Sequence, residues 1–248
     1  MRKTLATTCC FASLVLAAHA GSPPPMMETS APASDRGNFF LGGNARQDAW
    51  YTYAGANYAL NGDIDATGLF LQGVFGYGEY DYDRLPAGTE VQGDVVEYDL
   101  GIGYQWVTPA YSLSVLGAAN YQDHDLNVFD PNNSVSGDEW GFKAKLDAWY
   151  TGHAGMLYGI TSSYSTAYDS YWNRAVVAKT FGQLYVGPEF VFLGNDEFEE
   201  YRAGLTLGGL SLGPADISLS AGYAWADPES GRDEEESLYG GLHASFRF

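Results

Sequence analysis

Residues 94–107 read DVVEYDLGIGYQWV, and their alternation decides the fold. Val96, Tyr98, Leu100, Ile102, Tyr104 and Trp106 are interleaved with Glu97, Asp99, Gly101, Gly103 and Gln105. Side chains on a β-strand point to opposite faces in turn, so this strand has one greasy face and one that is polar or bare. The same period returns at 140–150, where Trp140, Phe142, Ala144, Leu146, Ala148 and Tyr150 alternate with Gly141, Lys143, Lys145, Asp147 and Trp149. Segments of this length and pattern suit a closed membrane barrel, in which every backbone group pairs between strands. Alternation alone does not say which face is outside, because a soluble lipocalin-like barrel turns its apolar face inward.

Working outward from these strands, the first twenty residues read as a secretory signal. Arg2 and Lys3 precede an apolar stretch over 5–18, and Ala18, His19 and Ala20 make a small-x-small cleavage site. The apolar stretch is shorter than the about 20 residues a spanning helix needs. Cys9 and Cys10, the two cysteines of the chain, fall inside it, so cleavage leaves no thiol for disulfide or metal chemistry. It also leaves 10 basic against 31 acidic residues, a net charge of −21. That balance excludes a nucleic-acid role, which needs clustered Lys and Arg. Residues 21–36, rich in Pro, Ser and Ala without periodicity, are expected to form a disordered periplasmic leader, with the barrel over 37–248.

Twelve strands are expected, at about 37–45, 48–60, 67–83, 93–107, 110–123, 138–151, 155–168, 171–182, 183–193, 197–209, 213–225 and 236–248. The fold class is therefore all-β, a transmembrane antiparallel up-and-down barrel with an even strand number. The first two segments also read as one long bent strand, and 48–60, 67–83 and 171–182 leave their register open. If the last strand runs down to the periplasm, the short connections at 108–109, 152–154, 182 and 210–212 lie on the inner side. The longer ones at 85–92, 124–137 and 227–235 then lie outside, as this barrel class requires. Aromatic residues of the apolar register cluster at strand ends: Trp106 and Tyr111 beside an inner turn, Tyr121, Trp140 and Trp225 at the outer rim. Such girdles mark membrane interfaces. Leu242, Ala244, Phe246 and Phe248 share a face at the C-terminus, resembling the terminal signal of outer-membrane barrels, although His243 stands where that signal carries glycine.

Two stretches, QDAWYTYAGANYALNGD at 47–63 and YQDHDLNVFDPNNSVSGDEWGFKAKLDAW at 121–149, together with YGEYDYD at 77–83, resemble the cellulose biosynthesis protein BcsS family of proteobacteria. The likeness extends over 37–248. It implies an outer-membrane protein accessory to bacterial cellulose synthesis or export, non-enzymatic, with no catalytic residues or cofactor to carry over. The partners it implies are glucan or components of the cellulose synthase complex, alongside the lipid and lipopolysaccharide of the membrane.

Four constellations bear on chemistry. The polar register places Glu97, Asp99, Lys143, Lys145, Asp147, Glu189 and Arg202 along the lumen, where buried charges need partners to offset desolvation. The lumen is then either an ion-paired brace or a narrow conduit for small solutes. Gly101, Gly103, Gly141 and Gly159 are expected to leave space there, and inward tyrosines could stack on sugar rings. His243 and Ser245, two apart on one strand, could form a nucleophile pair of the lipid-hydrolase kind. Their register points them into the lumen and away from lipid, so the plainer reading as polar lumen residues is preferred. Asp123, His124 and Asp125, with Asp130, Asn132 and Asn133, offer oxygen and nitrogen ligands but match no metal motif, and Asp130-Pro131-Asn132-Asn133 reads as a turn. No metal is expected. Acidic runs at Asp227, Glu229, Asp233, Glu234, Glu235 and Glu236, beside Arg232, and at Asp196, Glu197, Glu199 and Glu200 are expected to be solvated loop faces. Divalent cations bridging them to lipopolysaccharide phosphates are the functional alternative.

Overall fold

The computed structural model describes residues 35–84, 89–131, 133–228 and 235–248. The expected signal sequence, nearly all of the leader, Asn132, Glu229, Arg232, Asp233 and Glu234 lie outside the described residues. Twelve strands follow one another in the chain: β1 Gly37–Arg46, β2 Ala49–Ala59, β3 Gly68–Arg84, β4 Thr89–Val107, β5 Tyr111–Leu126, β6 Gly137–Thr151, β7 Met156–Ser165, β8 Tyr171–Phe181, β9 Leu184–Asn195, β10 Phe198–Leu212, β11 Ala215–Pro228 and β12 Glu235–Arg247. Each pairs antiparallel with its sequence neighbours, and β1 pairs with β12 to close the barrel. The seam is in regular register, with Phe39 opposite Phe246 and Leu41 opposite Ala244. The 37–60 region is thus two strands joined by a two-residue turn in which Asp48 takes φ 62°.

The apolar register faces outward. On β4, Leu100 is 71% exposed and Ile102 51%, whereas Glu97 is 1% exposed. This is the inverse of a lipocalin and removes that alternative. Trp140 and Trp225 remain exposed at the outer end and Trp106 and Tyr111 at the inner end, so the aromatic girdles bound an apolar belt.

Several strand ends differ from expectation. β4 starts at Thr89 and β5 runs to Leu126, so the β4–β5 wall stands higher on the outer side and His124 belongs to a strand, not a loop. β10 continues to Leu212 through a register shift between Leu207 and Leu210, where Gly209 takes φ 71°. A bulge of this kind reads in sequence like a turn; the inner turn itself lies at 213–214. The inner connection at 60–67 is the longest on its side. It is fixed by Gln105 Nε2, which donates to the carbonyls of Ile64 (2.6 Å) and Ala66 (2.8 Å), and by an ion pair between Arg247 and Asp65.

Candidate functional site: the barrel lumen

All seven of the lumen residues picked from sequence point inward. Glu97, Asp99, Lys143, Glu189 and Arg202 are buried, and Lys145 and Asp147 are half-buried. They fall into separate networks on opposite walls. On the β2–β7 wall, Lys143 Nζ donates to both Glu97 and Asp99, the latter at 3.1 Å. Asn120 Nδ2 donates to the same two carboxylates at 2.7 Å each, and Tyr51 Oη donates to the second oxygen of Glu97 at 2.7 Å. A polar ladder continues toward the inner mouth: Lys145 Nζ donates to Gln72, Gln72 to Asn57 and Asn57 to Asn38. Asp147 accepts from Thr161 Oγ1 at 2.8 Å.

On the other wall, Arg174 pairs with Glu189 at 2.7 Å and donates to Thr206 Oγ1 at 3.0 Å, while Tyr239 Oη donates to Glu189 at 2.8 Å. Nearer the outer end, Glu200 lies between Arg46 and Arg202, and the Arg202 guanidinium sits 5.3 Å over the Tyr239 ring. Arg46 and Arg174 were not legible as members. Arg46 ends its strand, and the register of 171–182 is ambiguous in sequence. Burial of charge is tolerated where each group meets a counter-ion in this way.

The lumen glycines do not leave space. A Cβ on Gly159 would fall 2.3 Å from the Trp149 ring, on Gly103 2.4 Å from Phe70, on Gly141 2.4 Å from the Ala167 backbone and on Gly101 2.7 Å from Ala118 Cβ. The pattern is cross-strand: Trp149 stands opposite Gly159, Phe70 opposite Gly103, Tyr185 opposite Gly208 and Tyr80 opposite Gly93. Each large ring lies flat over the bare backbone facing it, which fills a narrow barrel without strain. Between the Arg174–Glu189 pair and His243 a cavity of about 60 Å³ remains, lined also by Tyr53, Trp172 and Tyr239. That is room for a few waters and no more.

The outer end is closed by a second, apolar layer. Tyr51, Tyr80, Tyr82, Val91, Val95 and Ala226 pack there as one buried cluster. Above it, residues 127–131 and 133–136 fold back over the mouth. Asn133 Nδ2 donates to Tyr82 Oη (2.8 Å), which in turn donates to Asp130 (3.1 Å) on the β3 side. Across the mouth, Ser134 donates its backbone N–H (2.7 Å) and its hydroxyl to Glu197. Val135 is buried against Ala167 and Tyr168 from the turn between β7 and β8. Burial, with carboxylates nearby, pushes the Tyr168 phenol up to about 12.

The remaining candidates separate. His243 and Ser245 are both buried in the lumen; Tyr53 Oη meets His243 Nδ1 at 3.0 Å and Phe40 stacks on the imidazole. Neither presents itself to lipid. Asp123, His124 and Asp125 diverge as neighbours on a strand must: His124 is buried inside, while Asp125 is exposed outside. Among the described residues no group of three His, Cys, Asp or Glu could hold a metal ion. The acidic run at 196–200 is not a solvated face. Glu200 and Glu197 are buried and bonded, and Glu199 accepts from Tyr171 and Tyr201 on the outer surface. On the inner side, burial raises the Asp65 carboxyl above its ordinary value, against the pull of Arg247.

The sequence matches the family model described as cellulose biosynthesis protein BcsS over residues 38–248. No curated protein matches it. Similar solved structures include the transport unit of the autotransporter AIDA-I from Escherichia coli, at 10% identity, TM-score 0.46, with 90% of this chain and 93% of that one covered. LpxR from Salmonella typhimurium gives 14% identity, TM-score 0.45 and coverage of 85% and 100%. The KdgM porin in complex with disordered oligogalacturonate gives 6%, 0.44, and coverage of 85% and 99%.

Proposed function

The chain belongs to the cellulose biosynthesis protein BcsS family and is an outer-membrane β-barrel, and from that premise we propose that it is a non-enzymatic accessory of cellulose synthesis or export. The observation that carries this reading is the filled lumen. Two ion-paired walls, aromatic rings laid over glycines and an apolar outer layer occupy the space a general pore would need. A barrel braced in this way acts through its mouths, as a fixed outer-membrane element that glucan or the synthase complex meets. A hydrolase reading finds little support, since His243 and Ser245 face the lumen, away from lipid, where Tyr53 Oη meets the imidazole. A solute channel would need the outer layer displaced.

The test is genetic and direct. Deletion of the gene in a cellulose-producing host should lower or alter secreted cellulose, measured by dye binding and by acid-insoluble glucose, and complementation should restore it. Unchanged cellulose amount and fibre form in the deletion strain overturns the proposal.

A further inference from the structure

The wall that carries the lumen cavity is also where charge fails to balance. Among the described residues, its ion-pair network holds three guanidiniums, Arg46, Arg174 and Arg202, against two carboxylates, Glu189 and Glu200. All five residues are more than nine-tenths buried. A lysine in surplus could shed its proton, but a guanidinium keeps its charge throughout the physiological range. Surplus positive charge in a buried site therefore calls for an anion. The opposite wall has the reverse surplus, Glu97, Asp99 and Asp147 against Lys143 and Lys145. Its carboxylates are held there by Lys143, Asn120 and Thr161, and none of them bonds to Arg174 or Arg202.

The two arginines that line the cavity also have donors to spare. Arg174 turns Nε (2.8 Å) and Nη2 (2.7 Å) to Glu189, and Nη2 again to Thr206. Arg202 donates Nε to Glu200 and Nη1 to Asn44 (3.0 Å). Nη1 of Arg174 and Nη2 of Arg202 are left with no hydrogen-bond partner among the described residues, and both keep some accessible surface. Ser220 brings a hydroxyl to the same cavity, which rotates to donate. Glu189 lines it as well, but its two oxygens are taken by Arg174 and Tyr239. At about 60 Å³ the space admits one small ion with a water beside it, and no phosphate ester or sugar.

We propose that this cavity is a binding site for one small monovalent anion of the chloride class, held by Arg174 Nη1 and Arg202 Nη2 as the third negative charge of the wall. Charge-assisted bonds from two guanidiniums in a low-dielectric interior are the strong kind. The ion completes the brace, because without it the two arginines repel across the cavity. The site is independent of the cellulose role.

The test compares the refolded barrel in chloride and in gluconate at one ionic strength, so that screening is shared and only binding differs. Gluconate is too large for the cavity. Replacing it with chloride should raise the thermal midpoint saturably, as a ligand of the native state does, and bromide should do the same. Bromide also quenches Trp172, which lines the cavity. The part of the quenching that is lost in Trp172→Phe should saturate over the same concentrations. Arg202→Gln leaves Arg174 with Glu189 and Arg46 with Glu200, two cations to two carboxylates. It should fold, shown by heat modifiability, and lose the chloride response. Arg174→Lys keeps the charge without Nη1 and should weaken binding about tenfold, the loss of one charge-assisted hydrogen bond. Equal midpoints in chloride and gluconate overturn the proposal, as does Trp172 quenching that never saturates or a chloride response that Arg202→Gln leaves intact. Should Arg202→Gln fail to fold, Arg174→Lys decides, and an unweakened response there overturns the site.

Discussion

Lys143→Met places the sharpest demand on the ion-pair brace. Lys143 is 3% exposed and its ammonium is shared by Glu97 and Asp99, themselves 1% and 5% exposed. Methionine keeps most of the volume, so the packing loss is small and the cost is that of two carboxylates left without their cation. Removing one partner of a buried pair costs about 3–5 kcal/mol. Here Asn120 still donates to both carboxylates and Tyr51 still donates to Glu97, which offsets part of the loss. The expected destabilisation is therefore near the lower end, about 3 kcal/mol. Equilibrium urea unfolding of the refolded barrel in lipid vesicles, read by tryptophan fluorescence, measures it as a fall in midpoint at constant slope. The triple variant Lys143→Met, Glu97→Gln, Asp99→Asn removes the uncompensated charge and should recover at least half of that loss. A Lys143→Met barrel within about 1 kcal/mol of wild type would refute the reasoning, since that is the size of an exposed pair.

Three further outcomes follow from the same structure. The purified barrel should show no stable single-channel conductance in planar bilayers, and Lys143→Glu with Lys145→Glu should not create one; steady ohmic steps in wild type would mean that the lumen filling is not maintained. Gly159→Ala puts a methyl group 2.3 Å from the Trp149 ring and should cost about 1–3 kcal/mol in the same unfolding assay, with relief in the Trp149→Ala background; additive costs would disprove the contact. Asp65 has its carboxyl raised in the folded barrel, chiefly by burial, so the protonated form favours folding and that contribution is lost as pH rises through the raised value. Asp65→Asn should therefore gain on wild type in urea midpoint between about pH 3 and about pH 7, and a difference that is flat or falls with pH contradicts this.

The barrel was legible because period-two alternation, once long enough, has few other interpretations, and the outward exposure of Leu100 and Ile102 resolved the one it had. Lys143, Glu97 and Asp99 could be placed on one lumen face because β4 and β6 alternate strictly. What escaped was whatever depends on the register between strands. Nothing in the local sequence says that Trp149 stands opposite Gly159, so the glycines read as room when they are seats for rings. Arg174 and Arg46 were hidden by an ambiguous strand and a strand end. Loop 127–136 read only as an outer connection with a turn at Asp130-Pro131-Asn132-Asn133, because those are turn residues. Their partners, Tyr82 on β3 and Glu197 in the turn between β9 and β10, are far away in sequence and on opposite sides of the mouth.

The distribution of charge leads to a last prediction. Of the 10 basic residues beyond position 20, Arg46, Lys143, Arg174 and Arg202 are turned into the lumen, where carboxylates meet them, and Lys145 is turned there toward Gln72. Arg36, Lys179 and Arg247 lie at the inner end. On the outer rim the described outward side chains are acidic instead, among them Glu79, Asp94, Asp125, Asp138, Asp169 and Glu236. Set against a phosphate-bearing leaflet, such a rim would be repelled by like charge unless divalent cations intervened. Folding into vesicles containing lipopolysaccharide should therefore slow, and the folded barrel lose thermal stability, when magnesium and calcium are chelated. Vesicles of zwitterionic lipid should show neither effect, because they present no excess phosphate charge to the rim. Gel-shift kinetics with and without chelator in the two lipids make the comparison, and equal behaviour in lipopolysaccharide with and without divalent ions would mean that the acidic rim stands clear of the phosphate layer.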